Sequence, residues 1–190
     1  MRLAALALVG LCVAAAPARL DVKLGEVVPD IAFKGYDDKE YKLSDFRADA
    51  EKKTEGQVVV VYFHSEHCPA QIPVDAVKKV AEQWADPKNG VKFLAFFTYQ
   101  GDNQKAIGEY ITKNSLSYTC SWDTEKKLRG HFGAKQVNAT YVLDKNGKLI
   151  YHGGLFQMKG KTVEKEIVVE AVKAAKEGTA APKSGTPFMG

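Results

Sequence analysis

One short stretch of this chain carries the residue types that reactive-thiol chemistry needs: Phe63, His64, Ser65, Glu66, His67, Cys68 and Pro69. Cysteine attacks as its thiolate, and positive charge or a helix N-terminus favours that form. His64 and His67 lie beside Cys68 in sequence, and a protonated imidazole would stabilise the anion. Glu66 opposes it unless its carboxylate turns to solvent. The bland alternative is a buried structural cysteine, since free cysteine is among the most buried residue types. A thiol just past a buried strand and followed by proline reads instead as functional. Cys68 is therefore the candidate catalytic group, with Ser65 and His67 beside it. His64 and His67 could join Cys68 as soft metal ligands, but a closed site needs about four ligands. His131 and His152 are only remote additions, so no metal and no other cofactor is expected.

Cys120 is left between two roles. It could act as an unconventional resolving cysteine, or it could be an inert, half-buried strand residue. A Cys68–Cys120 bridge is allowed by count, but sequence alone does not bring the two Cα atoms within reach.

The elements that must hold Cys68 are legible around it. Residues 58–63 read Val-Val-Val-Val-Tyr-Phe, a continuous apolar run without alternation, which marks a strand buried on both faces. A helix is predicted over 69–85, with Pro69 suited to its first turn and Pro73 kinking it or delaying its start. Val74, Val77, Val80, Ala81 and Trp84 recur there at helical spacing. That order puts Cys68 at a helix N-terminus, where unpaired N–H groups and about half a positive charge favour thiolate.

Further along, residues 41–46 read as a short strand running into a turn, 91–99 as a second buried strand and 103–114 as a helix. Residues 117–122 form a short extended piece, and 124–132 a helix ended by Gly133. Residues 140–144 and 148–152 make a hairpin about Asn146-Gly147, and 163–176 a closing helix. Strands alternating with helices predict an α/β fold, and the hairpin makes its sheet mixed.

The chain has 190 residues, enough for one domain with a buried core. Its formal charge is +4, with no run of five basic residues, so nucleic acid is not expected as a partner. Arg2, an apolar run from Leu3 to Ala16 and the small residues Ala16 and Ala18 read as a cleavable export signal. The run is short for a membrane span, which needs about 20 residues, so no stable membrane insertion is expected after cleavage. Cys12 follows Leu11, where a lipidated cysteine would need a small residue. The expected layout is a signal peptide over 1–18, one domain over 19–177 and a flexible tail over 178–190. The expected location is periplasmic or extracellular.

The mature domain resembles the thioredoxin-like redoxins, a group that contains exported thiol–disulfide oxidoreductases and alkyl-hydroperoxide-reductase-like peroxiredoxins. The resemblance spans about residues 23–176. It rests on Leu24-Gly25 through Pro29-Asp30, the 58–63 strand, Cys68-Pro69, Phe132-Gly133-Ala134 and the segment 141–148. It implies a thioredoxin fold: a mixed central sheet flanked by helices, with an N-terminal extension. It also implies thiol chemistry on protein or small-molecule thiols and disulfides.

Three departures stand out. Gln71 occupies the place of the second cysteine of Cys-x-x-Cys, so the usual intramolecular release of a mixed disulfide is lost. Asn138 aligns with the family's cis-proline. A non-proline cis bond costs about 2.5–4 kcal/mol, so a trans peptide and a reshaped groove, lined by His64, Pro69, Gln71, Val137 and Asn138, are expected. Of the peroxiredoxin pattern, Ser65 matches the hydroxyl position, while Val61 stands for its proline and Ala139 for its arginine. The implied activity is one-cysteine thiol–disulfide exchange. A redox-inert binding module and a one-cysteine peroxidase are the alternatives.

Overall fold

The computed structural model describes residues 22–67, 72–99, 101–160 and 162–181. The predicted signal peptide therefore lies outside the described residues, as do Cys68, Pro69, Gln71 and residues 182–190 of the tail.

The run of β-branched residues at 58–63 forms β3 (Val58–His64), and every residue of it is buried. It can be apolar throughout because both of its faces are covered. Val58, Val60 and Tyr62 pack with Val77, Val80, Ile107, Val168 and Val172 on one face. Val59, Val61 and Phe63 pack with Phe33, Phe46, Leu128 and Phe132 on the other. β3 is parallel to β4 (Val91–Phe97), with His64 opposite Phe97, and antiparallel to β6 (Ala139–Leu143). β5 (Thr119–Trp122) adds in parallel to β4, and β7 (Leu149–Gly154) returns antiparallel beside β6. The sheet order is β5-β4-β3-β6-β7, mixed as the hairpin predicted.

Before this sheet, β1 (Ala32–Lys34) and β2 (Glu40–Lys42) form a small antiparallel hairpin. The predicted strand over 41–46 is thus split, with Leu43–Phe46 closing into a 3₁₀ turn that buries Leu43 and Phe46. The N-terminal segment covers both sheet edges. Gly25 N–H donates to the Leu149 carbonyl and Leu149 N–H to that of Glu26, while Tyr36 N–H donates to the Cys120 carbonyl.

The helices are α1 (Val74–Glu82), α2 (Gln104–Lys113), α3 (Lys127–His131) and α4 (Ile167–Glu177). Three predicted helices start late, among them α3, which begins at Lys127 rather than 124. α1 starts five positions later than expected, at Val74 rather than 69, because Pro73 takes an extended ψ of 127° as its N-cap. The closing helix starts at Ile167. Val163 belongs to a hairpin of β8 (Gln157–Lys159) and β9 (Thr162–Lys165). Val163 lies one helical turn before Ile167, so its spacing alone did not separate the two states. The predicted turn after β6 is present. Gly147 has φ +80°, and its N–H donates to the Asp144 carbonyl at 2.9 Å. A Cβ there would meet Arg47 Nε at 2.5 Å and displace that side chain, and the positive φ favours glycine.

Candidate functional site

β3, β4 and β5 run parallel and finish in register at one edge, with His64 opposite Phe97 and Phe97 opposite Trp122. The segments that leave this edge are therefore neighbours although far apart in sequence. Cys68 comes four residues after the end of β3 and lies outside the described residues. Its chain neighbours on the N-terminal side define the site.

Ser65 is buried, and its Oγ accepts a hydrogen bond from His67 N–H at 3.1 Å, a side-chain-to-backbone turn that aims residue 67 away from the sheet. His67 is half exposed. Its Nδ1 lies 3.1 Å from Asp102 Oδ1, and the Asp102 side chain is fully buried. Asp102 Oδ2 accepts from Tyr99 N–H at 3.2 Å, and Asp102 N–H donates to the Tyr99 carbonyl at 3.1 Å. Asn103, the next residue, caps α2 by accepting from Ala106 N–H at 3.0 Å. The carboxylate is thus held by a short turn tied to a helix. Its hydrogen bond to the imidazole, with smaller help from Glu66, raises the His67 pKa above the ordinary histidine value.

His64 departs from its expected role. It is 1% exposed, its Nε2 is 3.0 Å from the Tyr110 hydroxyl, and its ring packs edge-on against Phe97 at 4.8 Å. Burial pushes its pKa down to about 4, so it is neutral at pH 7 and contributes no cation. As a core residue it does not line an open groove. Asn138 is also buried, with its Oδ1 accepting from the Tyr62 hydroxyl at 2.9 Å and its N–H donating to the Phe63 carbonyl at 2.7 Å. No peptide bond among the described residues is cis, so the expected trans linkage at Asn138 is present. Asn138 has φ +67°, a conformation that asparagine tolerates better than most residues. Only Val137, of the described groove residues, is partly exposed.

The resolving role weighed for Cys120 does not fit the structure. Cys120 is a free thiol, 3% exposed, opposite Ala95 and two pairs back from the end of the strands. Its Sγ–H points to the Tyr118 carbonyl at 3.6 Å, and burial pushes its pKa up to about 12. A neutral, buried thiol is a poor nucleophile.

The helix-terminus support for Cys68 also changes. The first turn of α1 begins at Val74, so its N-terminal dipole is not adjacent to Cys68 in the chain. The residue before Cys68 in the chain is His67, whose pKa is raised by its hydrogen bond to Asp102, and Asp102 was not singled out from sequence. The available signal was topological: in a sheet with parallel strands, sites gather at the strands' carboxyl ends, and Asp102 lies in the segment leaving β4. Among the described residues no group of three or more His, Cys, Asp or Glu is placed to hold a metal ion.

Residues 24–152 match the AhpC/TSA family model. The chain belongs to the AhpC/TSA family. No curated protein matched the sequence. Several solved structures resemble this AhpC/TSA chain. A hypothetical protein from Sinorhizobium meliloti 1021 is 19% identical with a TM-score of 0.74, covering 88% of this chain and 92% of its own. A chain assigned as the thiol:disulfide interchange protein DsbE of Chlorobium tepidum is 21% identical with a TM-score of 0.63, covering 82% and 99%. A chain from Neisseria meningitidis assigned as a thioredoxin is 18% identical with a TM-score of 0.61, covering 79% and 89%. These likenesses establish the thioredoxin fold for this AhpC/TSA domain. Among the described residues no helix is long and apolar enough to cross a membrane.

Proposed function

We propose that this AhpC/TSA protein is an exported thiol–disulfide oxidoreductase that works through one nucleophilic cysteine, Cys68. The observation that carries the reading is the placement of His67. It stands half exposed and paired with an anion, where three parallel strands end, and it is covalently bonded to Cys68. An imidazolium beside a cysteine favours thiolate. The likeness to a chain assigned as DsbE supports disulfide exchange as the reaction class. Ser65 contributes by fixing the turn that presents His67.

In the reaction, the Cys68 thiolate attacks one sulfur of a disulfide. The Cys68–sulfur bond forms as the old sulfur–sulfur bond breaks, and its electron pair leaves with the second thiolate, which takes a proton. A second thiol, from a small molecule or a partner protein, releases the mixed disulfide, since Gln71 stands where a resolving cysteine would be and Cys120 is buried. Residues 1–18 act as the export signal, delivering the chain to the periplasm or the exterior, where disulfides persist.

The reading is tested by the rate of Cys68 alkylation against pH, located by peptide mass mapping. The expected result is an apparent pKa well below the free cysteine value of about 8.5. A value at or above it sinks the reading. The Cys68→Ser variant is expected to lose disulfide exchange. A redox-inert binding module is the second reading, favoured by the buried Cys120 and by Gln71. It gains the field if Cys68→Ser keeps full biological activity.

A further inference from the structure

We propose that the cavity at the amino end of β4 is a binding site for a small aromatic carboxylate, with the ring held beside Trp84, Phe93 and Tyr118 and the carboxylate paired with Lys92. The site goes beyond the thiol-exchange reading and does not depend on it. It lies at the opposite end of the sheet from His67. Six residue steps along β4 separate Val91 from Phe97, roughly 20 Å at about 3.3 Å per step.

The cavity exists because β5 is short. β5 first pairs with β4 at Thr119, opposite Leu94, so it does not close the edge of β4 over residues 91–93. A cavity of about 180 Å³ fills this gap, between residues 91–93 on one side and 117–119 on the other. The apolar clusters of the two sheet faces meet there. Phe93 belongs to one, with Trp84 and Tyr118 packed against it, and Phe46 belongs to the other. The Trp84 and Phe93 rings are stacked at 6.4 Å, and Tyr118 meets Phe93 edge-on at 5.0 Å. Walls of this kind favour another aromatic ring, which extends the row by offset or edge contact. An apolar cavity of about 150 Å³ holds benzene. This one therefore suits a single ring with one small substituent.

Lys92 supplies the charge. It lines the cavity and is half-buried. Its Nζ lies 5.6 Å from the centre of the Tyr41 ring and 5.7 Å from that of Phe46. These rings attract the ammonium without neutralising it. Among the described residues Lys92 forms no ion pair within 4.0 Å. Asp37, the carboxylate that acts on it, is engaged elsewhere. It accepts from the Tyr41 hydroxyl at 2.5 Å and pairs with Lys39 at 3.7 Å. Burial lowers the Lys92 pKa, Asp37 opposes that fall and Lys39 adds to it. A carboxylate in the cavity gives the ammonium the anion that the protein withholds, in a partly desolvated place where a charge-assisted hydrogen bond is strong. Ser117 lines the same cavity and carries a hydroxyl donor for the second oxygen.

The test uses the full chain, two-dimensional amide NMR and three ligands: benzoate, benzamide (the same ring without charge) and acetate (the charge without the ring). Benzoate is expected to shift the Trp84 indole N–H and the amides of residues 91–93 and 117–119 in a saturable way. Benzamide is expected to bind roughly five- to tenfold more weakly, and acetate to give no saturable shift. Lys92→Met keeps the stem and loses the charge, and is expected to bring benzoate down to the affinity of benzamide. Lys92→Arg is expected to retain most of the binding. Ala85→Phe fills the cavity from an exposed position on its rim and is expected to abolish binding of both aromatic ligands. Benzoate shifts that rise linearly with concentration, or that fall on amides away from the cavity, overturn the proposal. Equal affinity for benzoate and benzamide also overturns it, because the Lys92 charge then selects nothing. The ligand comparison is made on the unaltered chain, so it decides the matter even where a variant fails to fold.

Discussion

Residues two positions apart on a strand share a face, and that alternation decides the fate of His64. It ends β3 on the face of Tyr62 and Val60, so it is drawn into the core beside Phe97 and Tyr110. His67, three residues later, has left the strand and meets water. The same side chain therefore has opposite titration behaviour at the two positions: burial lowers one, and an anionic partner raises the other. For His64 the folded value of about 4 lies below the unfolded value of about 6.5. Between these the unfolded chain binds a proton that the folded chain does not, so stability falls as pH falls through this window. The loss is expected to approach about 3 kcal/mol by pH 4. In His64→Leu that part of the acid slope should vanish. Urea unfolding of both proteins between pH 7 and pH 4 checks it, and parallel slopes would refute the assignment.

At the scale of elements, the starts of helices decide what reaches the sheet edge. Pro73 sets the start of α1 by its own backbone geometry, a local constraint written in the residue type. The start of α3 is set from a distance. Its N-cap, Lys126, makes no side-chain cap, and Asp123 serves instead. The buried Asp123 carboxylate accepts from Leu128 N–H and Arg129 N–H, each at 2.8 Å, and from the Thr98 hydroxyl at 3.3 Å. It so ties α3 to the end of β4. Asp123→Ala strands two helix N–H groups and a buried hydroxyl, and is expected to cost about 2 kcal/mol. Asp123→Asn keeps an acceptor and should cost less. Denaturant midpoints rank the two, and equal losses would show that capping is not the cause.

Over the whole molecule, protection tracks depth in the sheet. β3 is paired on both sides, buried along its length and sandwiched between two apolar clusters. The β8–β9 hairpin and the Asp49–Thr54 bridge are exposed and pair only with themselves. Native-state hydrogen exchange is expected to be slowest in β3 and β4 and fastest in residues 49–54 and 157–165. Amides of β8 protected as well as those of β3 would contradict this ordering. The site sits between these extremes, on segments that leave the most protected strands. This is a suitable place for a group that must hold its geometry and still meet a substrate.

Local chemistry fixed much of this protein in advance. An unbroken apolar run marked the central strand, helical spacing found the buried face of α1, and Asn-Gly marked the hairpin turn. Cys68-Pro69 marked the proposed nucleophile for the same reason: covalent order alone puts these groups together. Whatever lay outside local order had to come from the fold. The spacing of Val163 suited a helix or a strand equally, and pairing with β8 chose the strand. Cys120 could have been open to a partner or enclosed, and the packing around β5 enclosed it. His64 was expected in a groove and His67 beside the thiol, and the alternation of β3 buried the first while a turn left the second half exposed. Asp102 had no local mark at all, because its significance depends on parallel strands ending at one edge, a relation between segments 35 residues apart.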